Sequence, residues 1–268
     1  MTVLTAFLMT LIAGLATGLG GVISVLSKKQ NAKFLAAALG FSAGVMIYVS
    51  MIELFAEATR SLGVLYGAKQ GTIITVISFF AGMVLIAVID KLIPEKENPH
   101  EIHHKGDEPM FPTAESKKPH LIRTGMMTAL ALTIHNFPEG LATFVTAMGE
   151  PGIAIPVTAA IALHNIPEGV AVAMPLFYAT GSRKKALGFS FLSGLSEPLG
   201  AIIGYFLLRA FISDSLFGIV FAAVSGIMVF ISIDELLPAA REYGEHHISV
   251  YGFVAGMAVM AISLIMFM

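Results

Sequence analysis

Two copies of one six-residue pattern, His135-Asn136-Phe137-Pro138-Glu139-Gly140 and His164-Asn165-Ile166-Pro167-Glu168-Gly169, stand 29 positions apart inside apolar stretches. Residues four apart share one face of a helix, so His135 with Glu139 and His164 with Glu168 each present an imidazole beside a carboxylate. An acidic side chain at the bilayer centre costs roughly 2.5 kcal/mol or more, so a duplicated set requires a compensating cation or proton. The pattern points to a metal site. If the two helices pack with these faces opposed, His135, Glu139, His164 and Glu168 form a set of two nitrogen and two oxygen ligands. Asn136, Glu139, Asn165 and Glu168 form a second, oxygen-rich set with the glutamates bridging, and Glu197 is its natural further ligand.

Imidazoles with carboxylates suit zinc and other divalent metals: zinc first, then iron(II), manganese, cobalt and cadmium. The chain has no cysteine, which removes thiolate copper(I) chemistry, and two imidazoles argue against a dedicated magnesium or calcium site. The fifteen methionines are scattered and read as packing. Pro138 and Pro167 cannot donate to the carbonyls of Ile134 and Leu163, so each bends its helix and frees a carbonyl beside the ligands. A packing or hinge role for these prolines stays equally open.

The elements that must carry these groups are membrane spans. Hydrophobic residues make up 56% of 268, charged residues 13%, and mean hydropathy is +0.82, values that fit an all-α polytopic membrane protein. A net charge of −2 offers no basic field for nucleic acid. With about 20 apolar residues per crossing, eight transmembrane helices are expected near 3–26, 34–58, 71–93, 121–147, 152–178, 185–210, 214–240 and 248–267. The first reads as a retained span, not a signal peptide. Lys and Arg in the loops on the side of the N-terminus number three (Arg60, Lys69, Arg209), against thirteen on the other side, among them Lys28, Lys33, Lys96, Lys117, Arg123, Arg183 and Arg241. That asymmetry places both termini outside the cytoplasm, in a plasma membrane, as of the bacterial inner membrane.

Domain organisation follows as one unit: helices 1–3 over 1–93, a cytoplasmic histidine-containing loop over 94–120, a metal-binding helix pair over 121–178, and helices 6–8 over 185–268. The loop carries prolines and charges of both signs and reads as disordered. Its His100, His103 and His104 suit weak metal binding, as do His246 and His247 in the last cytoplasmic loop; a solvated polar tether is the competing reading.

A longer repeat surrounds the motif pair. Gly14-Leu15 and Leu19-Gly20 match Gly194-Leu195 and Leu199-Gly200 at an offset of 180; Gly44, Met46, Ser50, Glu53 and Leu54 match Gly226, Met228, Ser232, Glu235 and Leu236 at 182; Phe79, Gly82 and Met83 match Phe253, Gly256 and Met257 at 174. Five crossings separate each matched pair, so the copies run oppositely through the membrane. A 3+2+3 inverted repeat with polar groups at its interface is the pattern of an alternating-access transporter. Further acids, Glu53, Asp234 and Glu235, extend a candidate ion pathway, while Glu57 reads as a solvated group near the interface.

The two HN-x-PEG motifs, Glu197 within Ser-Gly-Leu-Ser-Glu-Pro, the Asp234-Glu235 pair and the histidine-bearing loop resemble the ZIP (Zrt/Irt-like) metal transporters over nearly the whole chain, most closely the family's bacterial zinc-uptake members. The resemblance implies a binuclear site between helices 4 and 5, divalent metal uptake towards the cytoplasm, no prosthetic group, and a homodimer. It also implies an elevator motion of helices 1, 4, 5 and 6 against 2, 3, 7 and 8. Asparagine at both 136 and 165 makes the second site less negative than an acid would. A membrane-embedded metalloenzyme is the main competitor, but the HExxH spacing His100-Glu101-Ile102-His103-His104 falls in the polar loop over 94–120 and not in a span, and there is no spare general base beside the motif histidines. A proton-coupled carrier of another solute lacks a mid-span cation to hold an anion. The protein is therefore expected not to be an enzyme.

Overall fold

The computed structural model describes residues 1–26, 32–92, 117–149, 151–208, 213–243 and 246–267, and its regular elements there are all helical. The loop histidines His100, His103 and His104, and the side chains of His135, Glu235 and His246, lie outside what is described. The helices are α1 (Val3–Leu26), α2 (Ala32–Val49), α3 (Phe55–Tyr66), α4 (Ala68–Leu92), α5 (Lys117–Gly149), α6 (Pro151–Thr180), α7 (Arg183–Gly194), α8 (Ser196–Leu208), α9 (Asp214–Ile231), α10 (Leu237–Tyr243) and α11 (His246–Phe267).

Among the described residues, seven helical stretches are long and apolar enough to cross a membrane: Val3–Leu26, Lys33–Tyr66, Ala68–Ile89, Ala154–Thr180, Arg183–Phe206, Asp214–Asp234 and His247–Met266. A helix satisfies its own backbone hydrogen bonds, which is what an apolar environment demands. At 1.5 Å per residue, about 20 residues cover the roughly 30 Å hydrocarbon layer. The helix α5, at 33 residues, is the longest and packs against α6 and α8. Gly67, at φ 83°, provides the left-handed turn that reverses the chain between α3 and α4.

Three departures from uniform α-helix were not anticipated. Ser50–Leu54 and Ser232–Leu236 are π-helical turns, closed by Phe55 N–H to Ser50 O and Leu237 N–H to Ser232 O. They fall on the repeat-related segments Ser50-Met-Ile-Glu-Leu and Ser232-Ile-Asp-Glu-Leu. The third is a break between α7 and α8 at Leu195, where Pro198 lacks the N–H that would bond Gly194 O.

The second span also runs further than expected. The helix continues through α3 to Tyr66 and so carries Arg60, which the sequence reading places in a loop. Its Nε donates to Glu57 Oε2 at 2.9 Å, and Glu57 is 8% exposed. Glu57 is therefore a buried, paired carboxylate and not a solvated one.

Close helix pairs form where glycine removes the side chain. A Cβ at Gly44 would meet Phe253 O, and one at Gly226 would meet Phe79 O; likewise Gly256 abuts Phe41 O and Gly82 abuts Ala223 O. The offset of 182 carries Gly44 to Gly226 and Phe41 to Ala223, and the offset of 174 carries Phe79 to Phe253 and Gly82 to Gly256, so each contact has its mirror. The α2–α11 and α4–α9 interfaces are thus built from matching positions. The main core, with Leu39, Met46, Ile161, Met228, Ile231 and Met260, joins α2, α6, α9 and α11 behind the site.

Candidate metal-binding site

The pair α5 and α6 brings the two motifs face to face. Glu139, His164 and Glu168 are fully buried, and each offers a ligand atom within 4.8 Å of the others. His164 Nε2 lies 3.1 Å from Glu139 Oε1. Gly140 and Gly169, which follow the two glutamates, let α8 and α1 approach the pair closely. A Cβ at Gly140 would strike Glu197 O of α8, and one at Gly169 would strike Thr17 O of α1. The prolines Pro138 and Pro167 sit within continuous helices.

The asparagines reach across helices. With its amide nitrogen turned towards its acceptors, Asn136 donates to Glu168 Oε2 at 3.2 Å and Leu132 O at 3.0 Å; in the opposite orientation that nitrogen meets only Ser193 O, at 3.5 Å. The first orientation satisfies more groups. Asn165 Nδ2 donates to Ala13 O at 2.9 Å and to Glu197 Oε1. Ser42 Oγ of α2 donates to His164 O at 3.2 Å, tying the motif helix to the neighbouring core.

Six of the seven residues singled out in the spans are thereby brought together with their side chains: Asn136, Glu139, His164, Asn165, Glu168 and Glu197. His135 lies on the same helix one turn before Glu139. Glu53 and Asp234 stand outside this group, Glu53 half-buried in one π turn and Asp234 exposed in the other. The sequence reading misses the direct Asn165–Glu197 contact and the reach of Asn136 to the opposite glutamate, since helical spacing reports only neighbours on the same helix.

The electrostatics are one-sided. Three fully buried carboxylates, Glu139, Glu168 and Glu197, converge here, and the sequence has no Lys or Arg between Arg123 and Arg183. Burying charge without a partner is costly enough that such a cluster calls for protons or a cation. Asn165 Oδ1 and Glu197 Oε2 are buried oxygens with no hydrogen-bond partner among the described residues. Acceptor oxygens left over in this way suit a positive ion as ligand atoms.

Long apolar helices around a core of buried acids, amides and imidazole define a multi-pass membrane protein with a candidate cation-binding centre. Residues 91–264 match the family model described as ZIP Zinc transporter. The chain is 60% identical to the zinc transporter ZupT of Clostridium perfringens, covering 99% of this chain and 96% of that protein. It is 60% identical to ZupT of Chlorobium chlorochromatii, covering 99% and 98%, and 56% identical to ZupT of Streptococcus mutans, covering 98% and 97%. The chain belongs to the ZIP zinc transporter family. That membership makes it a transporter and not an enzyme.

Proposed function

We propose that this protein carries zinc into the cytoplasm, with iron(II), manganese, cobalt and cadmium as further substrates, by alternating access. The observation that carries the reading is the fully buried group Glu139, His164 and Glu168, whose ligand atoms lie within 4.8 Å of one another. Its nitrogen and carboxylate donors suit zinc, and the relatives at 56–60% identity bear the name zinc transporter.

In this reading the site is binuclear. One ion is held by His135, Glu139, His164 and Glu168, and the other by Asn136, Glu139, Asn165, Glu168 and Glu197. The cargo needs both kinds of donor: imidazole nitrogen selects against hard ions, while carboxylates offset the charge of a dication stripped of water. Glu53, Asp234 and Glu235 line the approach and exit, and the loop over 94–120 holds metal weakly through His100, His103 and His104.

The same reading takes the bundle as eight spans in a 3+2+3 inverted repeat. The matched glycine contacts of α2–α11 and α4–α9, and the matched π turns, support it. Helices α1, α5, α6, α7 and α8 pack chiefly among themselves, as do α2, α3, α4, α9, α10 and α11, with α2 against α6 the main contact between the two sets. That division suits an elevator in which the first set moves the ion against the second. The protein acts as a homodimer in a bacterial inner membrane, with both termini outside the cytoplasm.

Zinc flux into liposomes containing the purified protein tests the function. Saturable wild-type flux, lost in Glu139→Ala and Glu168→Ala, is the expected result. Wild-type flux no greater than that of empty liposomes overturns the reading.

A further inference from the structure

The residue Thr17 of α1 plays no part in the ligand sets above, yet its position mirrors that of Glu197. The repeat offset of 180 pairs Thr17 with Glu197 and Ala13 with Ser193, and the offset of 29 pairs the motif helices. Three contacts follow this pairing. Gly169 abuts Thr17 O as Gly140 abuts Glu197 O, and Gly20 abuts Ile166 O as Gly200 abuts Phe137 O. The Asn165 amide nitrogen is bonded to Ala13 O at 2.9 Å, and the amide end of Asn136 stands in the mirrored place, 3.5 Å from Ser193 O, although its nitrogen is turned to Glu168 Oε2 and Leu132 O. By this pairing Thr17 holds on α1, beside the motif of α6, the place that Glu197 holds on α8 beside the motif of α5, with Asn136 the counterpart of Asn165.

The hydroxyl itself is unusual. A helical threonine ordinarily donates to the carbonyl four residues back, as Thr10 does to Ala6 O at 3.0 Å, Thr75 to Gly71 O at 2.9 Å and Thr143 to Glu139 O at 2.9 Å. The corresponding acceptor for Thr17 is Ala13 O, which is taken by Asn165. Thr17 is 0% exposed and its Oγ1 has no hydrogen-bond partner among the described residues. Ser193, the mirror of Ala13, likewise keeps a buried Oγ without such a partner. The repeat thus sets a neutral hydroxyl at Thr17 against the carboxylate of Glu197.

We propose that Thr17 is a further ion-positioning residue, its hydroxyl holding a water ligand of the transported cation on the Asn136 side, opposite Glu197; this rests on the function proposed above. Threonine is two atoms shorter than glutamate, so its oxygen reaches the ion through water. A neutral oxygen also serves release. A fourth carboxylate would bind a dication more tightly, whereas transport needs a site weak enough to leave.

The test compares zinc and manganese flux in liposomes for wild type, Thr17→Val, Thr17→Ala and Thr17→Ser, with melting temperature measured alongside. Thr17→Val and Thr17→Ala are expected to raise the zinc KM about 3- to 10-fold, the effect of one lost hydrogen bond, and to change the zinc-to-manganese ratio. Thr17→Ser should restore both. If Thr17→Val fails to fold, Thr17→Ala decides. Wild-type kinetics in the folded hydroxyl-free variants overturn the proposal, as does a Thr17→Ser variant as impaired as they are, which would assign the role to the methyl group. Absence of wild-type flux would instead sink the function on which the proposal rests.

Discussion

His164 Nε2 lies 3.1 Å from Glu139 Oε1, although the residues are 25 positions apart and belong to different helices. The contact fixes how α5 and α6 face each other, and Glu168 completes the group from the same side of α6 as His164. Removing a carboxylate removes a ligand and leaves its neighbours buried without their counter-group. Because loss of even an outer partner of a metal ligand costs 10–100-fold, Glu139→Ala and Glu168→Ala should each lower zinc flux by about 100-fold or more. His135→Ala should retain partial flux through the oxygen-rich site. Initial rates in liposomes, normalised to protein incorporated, measure this; full flux in either glutamate variant refutes the bridging role.

The contact of Asn165 with Glu197 yields a second expectation. An amide donates to the carboxylate, whereas an aspartate there repels it unless a cation lies between them. Asn165→Asp should therefore make the centre more dependent on bound metal and, by adding a hard anionic oxygen, favour manganese and iron(II) relative to zinc. Competition between metals during uptake reads the ranking. An unchanged ranking in a variant that transports normally withdraws Asn165 as a ligand.

Backbone contact at Gly44 and Gly226 makes a prediction about stability. A side chain at either position meets a carbonyl of the facing helix, so Gly44→Val and Gly226→Val should each cost about 1–3 kcal/mol or more through overpacking. In detergent this should appear as melting temperatures lower by several degrees. Gly188 has no neighbour within 4 Å, and Gly188→Ala should leave the melting temperature unchanged or raise it, since alanine favours helix.

Much of this was legible before any coordinates, and for one reason: spans and motifs declare themselves by composition and by helical period. The duplicated His-Asn-x-Pro-Glu-Gly pattern named the residues that converge, and Glu197 was found from its place in the chain. Cross-helix geometry was not legible. Nothing in helical spacing says that Asn136 reaches Glu168 and not Glu139, or that Asn165 bonds Ala13 O. The π turns were hidden because Ser50–Leu54 and Ser232–Leu236 lie within unbroken helical runs, and residue types there do not distinguish a ring closed four residues on from one closed five residues on. Glu57 was misjudged because the span was ended at residue 58, whereas the helix continues to Tyr66 and supplies Arg60 as a partner.

Orientation in the membrane rests on charge asymmetry, and the cysteine-free chain gives a direct measurement of it. A single cysteine at Ser182, in the turn before α7, is expected on the cytoplasmic side beside Arg183, Lys184 and Lys185. A cysteine at Ala68, following the Gly67 turn, is expected outside. A thiol reagent that cannot cross the membrane, applied to intact cells, should label Ala68→Cys and leave Ser182→Cys unlabelled until the cells are opened. Positive charge is retained on the cytoplasmic side during insertion, so thirteen basic residues against three leave little freedom for the reverse arrangement. Labelling of Ser182→Cys alone in intact cells would invert the topology, and with it the direction in which the α5–α6 centre delivers its ion.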